Sequence, residues 1–235
     1  MTENNSIDIR EIVKQGLLAG LVALSLSMIG FIALLGEREM IHNLFTMGHV
    51  FLFAAPVGLA YVTAGKILSE SKSKILGYGF LIGAITALPL ILLAVLASSF
   101  DIRQFLVNVS PELVELLMFG QKLAMGSVLL LIVSGVISLL AAGLRLLPDT
   151  IQKPLTNAIV WLLAAGTFSE ILLGRVRSFF GSAVSKLVFS GKSLNPITAI
   201  LIFLLVAGIT YWSNSRKGKS EPSKDDLPSE REQKR

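Results

Sequence analysis

The apolar positions of this chain run together rather than alternate. Six long apolar stretches, near residues 15–35, 46–65, 75–98, 123–147, 155–173 and 197–212, are separated by short polar segments. A helix needs about 20 predominantly apolar residues to cross the ~30 Å hydrocarbon layer of a bilayer. Barrel strands would instead alternate apolar and polar residues in segments of ~10. Inside lipid every backbone amide needs a partner, and a helix supplies it within the segment. The pattern therefore predicts an all-α integral membrane bundle of about six transmembrane helices. The fifth stretch is the weakest, because Asn157, Thr167, Ser169 and Glu170 interrupt it.

Two further segments are patterned for a surface. In 175–194, Val176, Phe179, Phe180, Val184, Leu187 and Val188 fall near helical spacing while Arg175, Arg177 and Lys186 project elsewhere. That is the signature of an amphipathic helix lying along the membrane interface. Ser110-Pro111-Glu112 reads as a second helix start, with a capping serine, proline at the first helical position and an acid in the first turn. Leu113, Leu116, Leu117 and Phe119 then make an apolar stripe opposite Glu112 and Glu115, which predicts a helix on the outer surface before the fourth span.

Composition agrees with lipid as the solvent: 53% of residues are hydrophobic and 16% charged, where a soluble domain carries about a quarter. Cysteine is absent, which removes disulfides and thiolate chemistry. The polar first ten residues, the long first stretch and the lack of a small-residue cleavage site predict a retained anchor rather than a signal peptide. The net charge of +5 is not spread evenly: Arg216, Lys217, Lys219, Lys224, Arg231, Lys234 and Arg235 all lie after the last stretch. Five acids, Glu221, Asp225, Asp226, Glu230 and Glu232, dilute that cluster as a nucleic-acid site. Lys and Arg are retained on the cytoplasmic side. One side would collect these residues with Arg10, Lys14, Lys66, Lys72, Lys74 and Lys153. The other would hold Arg38, Arg103, Lys122, Arg175, Arg177, Lys186 and Lys192, with Arg145 near a boundary. The expected organisation is a cytoplasmic N-terminus over 1–14, a membrane domain over 15–212 and a disordered basic cytoplasmic tail over 213–235.

Small residues mark where helices can touch. Gly16 and Gly20, Ala54 and Gly58, and Gly79, Gly83 and Ala87 each repeat at four-residue spacing, which permits close backbone approach inside the bundle or between two copies of the chain. Pro56 and Pro89 sit mid-stretch and predict kinks. Paired central breaks can also mark a transport path, but only Tyr61, Thr63 and Thr86 lie close by to line one. Glu170 is the sole acid well inside a stretch, about a turn from its end, and is expected to pair with Arg175 or Arg177 at the interface. His42 and His49, each in a Met-x-His triplet and seven residues apart, would share a helix face. Imidazole with thioether is a copper or haem ligand set, and this pair is the one candidate for a metal. No phosphate-binding glycine loop, zinc motif or nucleophile motif is present, and no residue set calls for a cofactor.

Gly36-Glu37-Arg38-Glu39-Met40-Ile41, Met47-Gly48-His49, Leu146-Leu147-Pro148, Pro154-Leu155 and Val160-Trp161-Leu162-Leu163 resemble the N-terminal membrane extension of bacterial branched-chain amino-acid ABC transporter permeases. The resemblance covers most of 15–212. It implies a bacterial inner-membrane subunit working with an ATP-binding subunit, a partner permease and a substrate-binding protein. The glycine-rich permease core of that family is not recognisable here, so no functional residue is carried over. The expected role is a non-catalytic permease module or accessory subunit. The alternatives are a membrane scaffold that recruits partners or anionic lipid, and a metal or haem protein using His42 and His49.

Overall fold

The computed structural model describes residues 9–100 and 109–217. Among them are the helices α1 (Ile9–Met28), α2 (Phe31–Gly36), α3 (Met47–Lys66), α4 (Lys72–Ser99), α5 (Pro111–Leu117), α6 (Leu123–Arg145), α7 (Asp149–Thr167), α8 (Ser169–Val188) and α9 (Pro196–Lys217). Four very short strands, β1 (Glu39–Ile41), β2 (Phe45–Thr46), β3 (Phe189–Ser190) and β4 (Ser193–Leu194), form one small sheet in the order β2-β1-β4-β3. The class is all-α. Helices α1, α3, α4, α6 and α9 are each long and apolar enough to cross a membrane. Helices α7 and α8 meet that test only together, and they are bent by 78° at their junction.

Several boundaries differ from the sequence expectation, each for a local reason. The first stretch is two helices, because Gly30 adopts a left-handed conformation (φ 83°) that turns the chain before α2. Helix α1 also starts earlier, at Ile9, where Gln15 donates to Glu11 (2.7 Å) and Lys14 lies 3.8 Å from the same carboxylate. Helix α9 continues to Lys217, so 213–217 of the expected tail are helical. Residues 1–8, 101–108 with Arg103, and the rest of the tail lie outside the described residues.

Helix α4 is the central element, packed against α1 on one side and α6 on the other. Glycines set both contacts. A Cβ added at Gly16 would lie 2.7 Å from Ile85 Cβ, and one at Gly20 would lie 2.9 Å from Pro89 Cγ. At Gly79 the added atom would meet Ala142 Cβ at 2.6 Å, and at Gly83 it would run into the Ser134 carbonyl oxygen. Ala87 is fully buried. Hydroxyls reinforce the close approach across helices: Thr86 donates to Gly16 O (3.1 Å) and Ser134 donates to Gly83 O (2.7 Å). Close backbone approach and interhelical hydroxyl bonds are the means by which long apolar helices associate without a hydrophobic drive between them.

The third small-residue pair behaves otherwise. Ala54 is exposed, and nothing lies within 4 Å of a Cβ placed on Gly58. Those two positions face outward instead of between helices of this chain. Helices α3 and α4 run unbroken through Pro56 and Pro89. Pro56 is buried, and the Pro89 ring fills the space left by Gly20. The prolines are packing elements here.

The direction of each helix follows from its contacts. Gly16 and Gly20 meet residues 82–85 and 86–89 in the same order, so α1 and α4 are parallel. Gly79 and Gly83 meet Ala142 and Ser134, so α4 and α6 are antiparallel. Helix α7 begins where Gln152 donates to the Tyr61 hydroxyl, late in α3, and ends where Thr167 O accepts from Arg38, just before α3. The fifth stretch therefore passes from one end of the bundle to the other before the chain bends into α8. Arg145, ambiguous in sequence, lies at the Tyr61 end, 3.4 Å from that hydroxyl.

A bulky residue at Gly83 must separate α4 from α6. Gly83→Val is expected to cost about 3 kcal/mol, whereas Gly58→Ala should stay within about 0.5 kcal/mol of wild type. Thermal unfolding of the purified chain in detergent checks both, and equal losses at the two positions would contradict this packing.

Candidate functional site at the paired hairpins

The polar chemistry of the described residues gathers at the two ends of the bundle. At one end two hairpins, one before α3 and one before α9, meet edge to edge. In the first, Asn43 takes a left-handed conformation (φ 56°) in the turn between β1 and β2, and Met47 N–H donates to Arg38 O at 2.8 Å. In the second, Gly191 (φ 65°) opens the two-residue Gly191-Lys192 turn. A glycine at the first position of such a turn allows the tight reversal that suits the twist of the strands. Strand β1 then pairs parallel with β4, Ile41 opposite Leu194, and His42 N–H donates to Leu194 O at 3.0 Å.

This small sheet clamps the bend between α7 and α8. Arg38 Nη2 donates to Thr167 O at 2.7 Å, on the last turn of α7. The buried Ser169 donates to Lys192 O at 2.8 Å. The Met40 side chain is buried against Gly166, where an added Cβ would lie 2.9 Å from Met40 Cε. The expected helix over 175–194 is corrected on two counts. Helix α8 starts at Ser169 and ends at Val188, with a non-helical Gly181 (φ 82°, ψ 177°) inside it, and 189–194 is the hairpin. Glu170 pairs with Lys192 (3.3 Å), across the hairpin, in place of Arg175 or Arg177.

A cleft of about 290 Å³ opens beside the sheet, lined by Glu37, Arg38, Glu39, His42, Glu170, Lys192 and Ser193 among others. Sequence distance hides a serine, a histidine and an acid that converge here. His42 Nδ1 lies 3.1 Å from Glu39 Oε2, and the buried Ser193 Oγ lies 3.5 Å and 3.4 Å from the same two atoms. In a nucleophile relay the acid and the nucleophile use opposite ring nitrogens. In this cluster both address Nδ1, and Ser193 Oγ donates to Ser190 O at 2.9 Å. The arrangement orients the turn rather than activating the hydroxyl.

The two histidines do not share a helix face. His42 sits in the hairpin turn and His49 in the first turn of α3. Thr46 caps α3, accepting from His49 N–H at 3.3 Å, with its hydroxyl 2.8 Å from His49 Nδ1. The His49 ring lies nearly parallel to Phe119 (5.3 Å between ring centres) and to Phe53 (6.5 Å), the three rings forming a triangle, and its Nε2 is buried beside Leu116 without a well-formed hydrogen bond. Among the described residues no three His, Asp or Glu side chains group as a metal site. Helix α5 forms where expected, capped by Ser110, which accepts from Leu113 N–H at 3.3 Å. Its apolar stripe packs inward, with Leu113 and Leu117 fully buried in the main core with Leu52, Leu90 and Leu130, while Pro111, Glu112 and Glu115 are exposed on its other side.

Sequence reasoning missed both hairpins and the clamp, the second hairpin despite a local signal. The signal was Phe189-Ser190-Gly191-Lys192-Ser193-Leu194, a glycine-containing reversal between apolar residues, which the helical spacing of the preceding segment overrode. Comparison with known proteins adds no constraint, since no family model, curated protein or solved structure matches the chain.

If Arg38 holds the bend, Arg38→Gln should loosen it by about 1–2 kcal/mol. Spin labels on single cysteines placed at Asn157 and Ser178, in a chain that has no other cysteine, should then report a broadened distance distribution. An unchanged distribution would show that the bend is held elsewhere.

Proposed function

We propose that the chain is a multi-pass subunit of the bacterial inner membrane, acting as a non-catalytic permease module or accessory subunit of an ABC-type transport system. The observation that supports this reading is the contrast between the two halves of the fold. In the α1–α3–α4–α6 core three buried hydroxyls bond to backbone carbonyls of their own or a neighbouring helix, and a fourth, Ser138 Oγ, is buried without a partner. Ser27 donates to Ala23 O, Thr86 to Gly16 O and Ile82 O, and Ser134 to Gly83 O. A core closed in this way holds helices together and leaves little to line a polar path.

The other half is uncovered. Only 6% of the apolar stretch of α9 is buried within the chain. Leu201, Leu204, Leu205 and Ile209 on that helix are more than half exposed. A helix this bare suits a neighbour in the membrane, here a partner permease. In this reading both termini are cytoplasmic. The Tyr61 end, with Lys66, Lys72, Lys74, Arg145 and Lys153, faces the cytoplasm and the ATP-binding subunit. The hairpin sheet faces outward, where a substrate-binding protein works. A second reading, a membrane scaffold, draws on α8, whose Phe179 and Phe180 are 77% and 69% exposed beside Arg175 and Arg177.

Two experiments test the proposal. With single cysteines in otherwise cysteine-free protein, Asn43→Cys should react with an impermeant maleimide on intact cells, and Ser71→Cys only after lysis. The reverse pattern would overturn the orientation. Tagged full-length chain, expressed with its neighbouring genes, should co-purify with an ATP-binding subunit. Isolation of the chain alone from a locus that encodes no ATPase would sink the transport assignment.

A further inference from the structure

At the Tyr61 end a second polar cleft, of about 500 Å³, lies between α7, α9 and the ends of α3 and α6. Its lining includes Arg145, Lys153, Thr156, Asn157, Thr210 and Asn214. Two cations and one acid, Asp149, border it, and that acid sits 3.9 Å from Lys153. Arg145 faces no carboxylate among the described residues. Its guanidinium lies against Gly65, where an added Cβ would meet Nε at 3.1 Å, and stands 5.4 Å from the centre of the Tyr61 ring. Its one hydrogen bond is to the Tyr61 hydroxyl, at 3.4 Å. Gln152, buried beneath, donates to the same hydroxyl and so fixes it. Thr156 on α7 and Thr210 and Asn214 on α9 are half-buried, and their side chains make no hydrogen bond among the described residues.

We infer that this cleft binds the phosphate of an anionic phospholipid headgroup. Arginine presents a planar fork of donors that matches phosphate oxygens, and hydroxyl and amide groups complete the shell. Basic clefts between transmembrane helices at the cytoplasmic surface suit such headgroups. The depth agrees, because at the same level of α9 Trp212, between Thr210 and Asn214, carries the Arg216 guanidinium 3.7 Å over its ring, a pairing of the interfacial belt. The apolar residues farther along the same two helices, Ile159, Val160, Leu205 and Ile209, are exposed and offer a track for acyl chains. A free phosphate would need no such track, and an acidic protein segment would not need the cleft to open between lipid-facing helices. The inference rests on the membrane placement proposed above and is independent of the transport partners.

The full chain is reconstituted in nanodiscs of phosphatidylcholine with about one-fifth phosphatidylglycerol, extracted in mild detergent, and its retained lipid counted by native mass spectrometry. Wild type should retain phosphatidylglycerol over phosphatidylcholine by about tenfold. Arg145→Gln should lose most of that preference, while Arg175→Gln on α8 should keep it. Millimolar inorganic phosphate should not displace the lipid. If Arg145→Gln does not stay monodisperse, Lys153→Gln decides, with an expected loss of about threefold. No preference in wild type, or equal retention in the cleft variant that folds, would overturn the inference. Displacement by inorganic phosphate would reassign the cleft to a free anion. An acidic protein retained in place of lipid, and lost in Arg145→Gln, would reassign it to a partner.

Discussion

The structure depends on the contact of α4 with α1 and α6, where glycines let backbone lie on backbone. At this seam dispersion between close backbones and hydroxyls bonding across it hold the helices together. Gly83 faces the Ser134 carbonyl and hydroxyl directly, and Gly16 receives Thr86. Each bond of this kind contributes about 0.6 kcal/mol in membranes, and the close packing they accompany contributes as much again over many atoms. Pro89, which could have opened a helix, instead fills the notch at Gly20.

From that seam the division of labour follows. The core is held by its own carbonyls and hydroxyls, and α3 closes it from the side through Leu52, Phe53 and the stacked His49–Phe119 pair. Helices α7 and α9 pack mainly on each other and hang on this core by the hairpin clamp at one end and by Tyr61, Arg145 and Gln152 at the other. Polar groups thus sit at the two ends and apolar surface lies between. The proposed supporting role rests on that distribution.

The helices long and apolar enough to cross a membrane were legible because hydropathy summed over twenty residues survives any detail of packing. The glycines on α1 and α4 were legible as packing sites, but the same four-residue spacing at Ala54 and Gly58 faces outward, since spacing marks a face without saying what lies opposite. Three features were hidden. The Gly30 break and the Gly191 turn depend on backbone angles that apolar runs mask. The pairing of β1 with β4 joins residues more than 150 positions apart, and no local pattern encodes it. The partner of Glu170 was misplaced for the same reason, because the hairpin carries Lys192 back to it while the nearby arginines stay on the exposed face of α8.

The claim that the core is closed is tested most directly by its access to water. Ser134→Cys and Ser138→Cys are near-isosteric changes at positions that are buried on α6 against Gly83, in a chain with no other thiol. In reconstituted protein neither cysteine should react with a small, membrane-impermeant thiol reagent from either side. Modification of either one at a rate near that of an exposed hairpin cysteine would reveal an aqueous path through the bundle and contradict the account.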